Sequence, residues 1–265
     1  MLESEFLNTA ATTVANSSEI LKEVYNDVAK PTAQNVGKAL GTLSSTINVL
    51  LAPISWAVYG FKHIDASVKS KLEEKLSDTP IEELKEPEPN IVIPAYEALR
   101  YTLNKEQLKD MYVNLIANSM KISTSNSVHP AFVEVVKQFS VFDADLLKKL
   151  FSKSASSIPK LKIRIQKSEH DYSGIDLSNI VLSPQYYGAS FLDDYNVSLE
   201  NLERLKIIEI HHSSELLEPN IYDSIIDLID KDSFKSINEN FPYVDLIKGY
   251  ISLTNFGKEF VNNIF

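Results

Sequence analysis

Three groups of residues carry side chains that could do chemistry. His211, His212 and Glu215 have the residue types of a metal site, two imidazoles and a carboxylate. Adjacent residues at the end of a strand point to opposite faces, so both imidazoles cannot easily serve one ion; a plain surface loop is the preferred explanation. His129 stands before Pro130, where a general base competes with a helix-entry residue that bonds nearby backbone. The entry role is favoured. Lys160, Lys162 and Arg164 alternate with Leu161, Ile163 and Ile165, which on a strand would set all three cations on one exposed face. They belong to a run from Leu146 to Ser168 with seven basic residues and no acid. Such a face is a candidate contact for an anion, a nucleic acid or a lipid head group. The alternative, and the favoured one, is a solvated edge strand whose lysines discourage edge-to-edge pairing.

No other constellation stands out. The sequence contains no G-x-x-x-x-G-K-[ST], G-x-G-x-x-G, H-E-x-x-H or G-x-S-x-G, so nucleotide cradles, zincin sites and hydrolase elbows have no support. The acidic run EELKEPEPN reads as a solvated linker. The expectation is therefore no catalytic residue, no metal ligand and no cofactor, leaning against an enzyme.

Composition narrows the function classes. A length of 265 residues suggests one large domain or two modest ones. Seven glycines argue against a many-turned β protein, and the absence of cysteine fits a reducing compartment. The start, MLESEFLN, has acids where a secretion signal has bases, which predicts a cytoplasmic protein. Net charge is −10, and neither half is basic: residues 1–140 hold 13 basic and 17 acidic side chains, residues 141–265 hold 13 and 19. That makes nucleic acid a less favoured partner than a protein. Nothing in the residues sets the oligomeric state.

The elements that must position these groups begin with an uncharged stretch, residues 39–61, in a chain that is 23% charged. Ala33, Val36, Leu40, Leu43, Ile47 and Leu50 form one apolar helical stripe, and Gly37, Gly41 and Ser45 line another side with small residues. Pro53 suits the start of a second helix, with Trp56 just inside it. The spacing predicts a hairpin, 33–51 and 54–76. A helix over 33–51 would span about 28 Å, against about 30 Å of bilayer hydrocarbon. The stretch is thus a candidate helix-packing or membrane-entering segment, with association on activation as the sharper alternative to a soluble packed hairpin. A proline-rich connector from Pro80 to Pro94 reads as extended, with Pro94 opening a helix over 95–103. Helices are expected from Asn104 to about Met120, after His129-Pro130, and over 144–151. Then follow a strand over 160–167, an ordered loop over 173–195, a helix capped by Ser198, a strand at 207–210, a helix over 222–229, a strand at 249–253 and a final helix capped by Thr254.

KPTAQNVGKALG, LLAP, PEPNIVIPAYEAL, LKDMYVNLIANSM and HPAFVEVVKQFS, in that order, resemble the Abi-alpha family. The resemblance covers roughly residues 28–150, with a looser continuation beyond, and keeps the block of His129, Pro130 and Phe132. It implies a role in abortive infection, the defence in which infected bacteria stop growing or die before phage are released. It brings no catalytic residues. LENLERLKIIEI followed by GYISLTNFGKEF resembles the late half of a winged helix. The fold expectation is mainly α: a helical region over 1–140 with the uncharged hairpin, then an α+β winged-helix-like domain over 141–265. Function divides between a membrane-active effector acting through 39–61 and a sensor or binding module whose second domain contacts nucleic acid or a phage protein.

Overall fold

The computed structural model describes residues 45–51, 66–102, 104–151, 157–171, 173–183, 194–235 and 237–265. Two compact units share the chain, Met1–Glu134 with Ile264, and Val135–Asn263 with Phe265.

The first unit is helical. Helix α1 covers 45–51, α2 Ala66–Leu76, α3 Pro89–Leu99 and α4 Glu106–Ser119. Both α2 and α3 pack on α4. The reason is a broad apolar face on α4: Leu108, Met111, Tyr112, Leu115 and Ile116 are all buried, as their helical spacing predicts. From α2, Val68, Leu72 and Leu76 are buried. An ion network reinforces this pair. Lys71 on α2 reaches Asp110 and lies 3.2 Å from Glu106 Oε2 on α4, and Lys109 Nζ bonds Glu106 Oε1 at 2.6 Å and Ser67 Oγ at 3.4 Å. Bonds from Lys109 and Lys71 hold the Glu106 carboxyl below its usual range.

The proline connector differs from the extended chain expected. A short 3-10 turn, Ile81–Glu83, leads into an isolated bridge between Leu84 and Lys121, tying the connector to the end of α4. Pro89 rather than Pro94 opens α3, and Pro94 sits inside it. Proline at the first helical position loses no bond, whereas Pro94 removes one. Burial of Ile91, Val92, Ala95, Tyr96 and Leu99 outweighs that loss.

Helix α5, Ala131–Lys137, links the units, and α6 spans Val141–Phe151. Ser140 and Asp143 cap α6 reciprocally: Ser140 N donates to Asp143 Oδ2 at 2.6 Å and Asp143 N to Ser140 Oγ at 3.0 Å. Then come β1 Ser157–Gln166, β2 Gly174–Val181, α7 Asp194–Arg204, β3 Ile208–His211, α8 Asp223–Ile226, α9 Lys231–Lys235, β4 Tyr243–Leu253 and α10 Asn255–Ile264.

The strands form one antiparallel sheet in the order β2-β1-β4-β3. This overturns the mainly α, winged-helix-like expectation. Helix, strand, strand and helix do follow one another from α7 to α10. But a wing is a hairpin, and here residues 212–242, with α8 and α9, separate β3 from β4. β4 lies in the interior of the sheet, between β1 and β3. Two further departures share a cause. β2 falls where a loop was expected, because its pairing with β1 shifts register between Leu161 and Arg164 and so breaks the alternation that marks a strand. With β2 on one side and β4 on the other, β1 is an interior strand and not a solvated edge.

Helix α7 begins four residues before Ser198, which is buried within it, and lies against α6 and β3. It ends at Lys206 in the left-handed region, φ 60, with Ile207 N bonded to Leu202 O at 2.9 Å. Thr254 caps α10 as expected, accepting from Gly257 N at 2.8 Å. Gly257 is needed for a second reason: a Cβ there would fall 1.9 Å from Ile207 O. Gly257→Ala should therefore lower thermal stability by on the order of 1–3 kcal/mol. Lys206→Gly should raise it by up to about 1 kcal/mol by relieving the left-handed residue. An unchanged melting temperature for Gly257→Ala would show that α10 is not seated on the Ile207 backbone.

Candidate functional site: the charged row on β1

The pleat sends alternate residues of β1 to opposite faces. Leu161, Ile163 and Ile165 join Val181, Tyr222, Ile225 and Val244 in an apolar cluster on one side. Ile158, Lys160, Lys162, Arg164 and Gln166 take the other. The three cations thus share a face, but the face is not open. Lys160 has no exposed surface, and Lys162 and Arg164 are only partly exposed. The outer two share a single carboxylate: Asp176 on β2 takes Lys162 Nζ at 2.8 Å and Arg164 Nη1 at 2.9 Å. The bond from Lys162 holds the Asp176 carboxyl below its usual range.

Lys160 is set apart by its surroundings. Across the ladder it faces Gly249 on β4. A Cβ on Gly249 would lie 2.2 Å from His211 O and 2.7 Å from Lys160 Cε, so glycine is what admits the lysine stem. The ammonium lies 2.9 Å from His212 Nδ1. Burial, and then the charge of Lys162, push the Lys160 amine down to about 8, with Glu203 on α7 acting in the opposite sense. Burial and Lys160 hold the His212 imidazole below its ordinary value as well. Glu203 also accepts from Ile210 N at 3.1 Å, which occupies a backbone donor of β3.

His211 goes the other way. Its ring stacks on Tyr250 at 4.2 Å and 22°, with Nε2 3.2 Å from Ser252 Oγ. Glu215 pairs with Lys248 at 3.2 Å. The three residues weighed as metal ligands therefore have three different sets of partners. Among the described residues no group of three or more His, Cys, Asp or Glu is placed to hold an ion. His129 Nδ1 accepts from Ala131 N at 3.1 Å, a helix-entry bond.

Of the packing or membrane candidates, Gly37, Gly41, Pro53 and Trp56 lie outside the described residues, as does most of the 39–61 hairpin. Ser45 is exposed, while Ile47 and Leu50 are buried with Leu51. Among the described residues no helix is long and apolar enough to cross a membrane. Asp176, Gly249 and Glu203 were not singled out from the sequence. Asp176 and Gly249 reach the row only through strand pairing, and Glu203 through the seat of α7 beside β3.

The buried amine has a measurable signature. Lys160 falls from 10.5 in the unfolded chain to about 8 when folded. Between those values the unfolded chain binds more protons, so stability should rise with pH across that window, and below it the full cost of burying the charge applies. Lys160→Met should abolish the rise. It should also melt at the same or a higher temperature at pH 7, because an apolar side chain replaces a buried charge. Urea unfolding at pH 7, 8.5 and 10 checks both. A rise that survives in Lys160→Met would assign it to another group.

No curated protein and no solved structure matches the chain. A family model, abortive infection alpha, matches residues 61–264. The match differs in extent from the resemblance read off the sequence. It begins after the KPTAQNVGKALG and LLAP segments, takes in PEPNIVIPAYEAL, LKDMYVNLIANSM and HPAFVEVVKQFS, and runs on through the whole sheet. With three quarters of its length matched, from α2 to the end of α10, the chain belongs to the Abi-alpha family of abortive-infection proteins.

Proposed function

We propose that the protein acts in abortive-infection phage defence as a binding module whose body, residues 61–264, engages a protein partner from the phage or the host. The observation that carries this is the extent of the family match, which runs through part of the first unit and nearly all of the second and starts at the end of the uncharged stretch. The charged row supports a protein partner over a nucleic acid. Lys162 and Arg164 are held by Asp176 and only partly exposed, and Lys160 is enclosed, whereas a phosphate backbone is met by open cations. A chain without cysteine suits the cytoplasm, where such a partner would be met.

A second reading keeps 39–61 as a membrane-active effector held back until infection. In its favour, Ile47, Leu50 and Leu51 are buried, so the described part of the apolar stripe is sealed inside.

Asn48 separates the two, because it is exposed within this stretch. Asn48→Lys leaves the core intact yet adds a charge that would cost about 2.5–3.5 kcal/mol at a bilayer centre. Cells expressing either form are challenged with phage, and growth, phage yield and membrane potential are followed together. The binding-module reading expects arrest without prior depolarisation, and equal protection by Asn48→Lys. Depolarisation before arrest, lost in a stably folded Asn48→Lys variant, would transfer the function to the hairpin. A chain that leaves phage yield unchanged would remove the defence role.

A further inference from the structure

The end of β3 is held to the sheet by a bond whose chemistry depends on pH. β3 has only four residues and one neighbouring strand, and its last ladder pair is His211 with Tyr250. One residue further on, His212 Nδ1 meets Lys160 Nζ at 2.9 Å. An ammonium can only donate, so Nδ1 must offer its lone pair, and the imidazole must be neutral. Lys160 has no exposed surface, and its Cε fills the space where a side chain at Gly249 would begin, so the ammonium is enclosed beside His212.

We propose that the Lys160–His212 bond is an acid-sensitive fastener of the β3 edge, which mild acid opens, freeing the end of β3 and the chain that follows it. A proton arriving on Nδ1 takes the lone pair that Lys160 uses and leaves two positive groups in contact. The other charges facing the pair do not offset this. Lys162 and His211 add positive potential, Glu203 on α7 acts against it, and Glu209 lies 3.8 Å from His211 Nε2. Glu203 already accepts the Ile210 N–H, so it is tied to the same edge. Burial and Lys160 hold His212 below the ordinary 6.5, so the fastener is closed at neutral pH and opens as the pH falls through that lowered value. The inference does not rest on either functional reading, since it concerns only the sheet.

Hydrogen exchange of the Ile208, Glu209, Ile210 and His211 amides tests it, followed by NMR together with the His212 ring nitrogens from pH 7.5 to 5. His212 should titrate below 6.5. As it does so, exchange at these amides, corrected for the intrinsic pH dependence, should rise at least about tenfold while β1–β2 amides stay protected. His212→Asn keeps an acceptor that does not titrate, and Lys160→Met removes the second positive charge; each should abolish the rise. The proposal is overturned if His212 titrates at its ordinary value or above, if wild type shows no rise, or if the rise survives in either variant. The wild-type titration decides the matter alone should a variant fail to fold.

Discussion

The ladder between β1 and β4 runs without a break from Ser157 opposite Ser252 to Gln166 opposite Tyr243. Because side chains alternate along it, this one register sorts the second unit into two faces. Leu161, Ile163 and Ile165 must then be covered, and Tyr222 and Ile225, on and beside α8, cover them. The Tyr222 hydroxyl also donates to Gly249 O at 3.0 Å and accepts from Leu216 N at 2.8 Å, which fixes the long connection between β3 and β4. A slip of one residue would turn the lysines into the apolar cluster and the isoleucines out of it.

The same register puts a lysine where few proteins tolerate one. Burying an ammonium costs several kcal/mol unless it is bonded and its stem is packed. Gly249 makes room for the stem and His212 takes the amine. Two residues further along, Asp176 answers two cations at once. The row is thus a set of held, partly covered charges on an interior strand.

The first unit follows a simpler rule. One amphipathic helix, α4, carries apolar residues broad enough to hold α2 and α3, and charged residues at its rim that select how α2 lies. Lys109 is buried among them, bonded to Glu106 one turn back. The hydrophobic stripe supplies the affinity and the ion network supplies the alignment.

The sequence by itself determined whatever depends on neighbours within a few residues. The inward faces of α4 and α5, the Thr254 cap, the bond from Ala131 N to His129, and the opposite orientations of His211 and His212 all follow from helix or strand period and local hydrogen bonding. The family could be read as well, because its motifs are local runs. Only the tertiary structure decided what depends on partners far along the chain. β2 needed β1 to become a strand, since Asp176, Ser178 and Asn179 have little preference for one and a register shift hides the alternation. β1 became interior only when β4, about eighty residues later, closed its other side, and that changed Lys160, Lys162 and Arg164 from an open face into a partly covered one. Strand pairing is non-local and charge balance follows pairing, so neither the sheet order nor the state of its buried amine was written in any single segment.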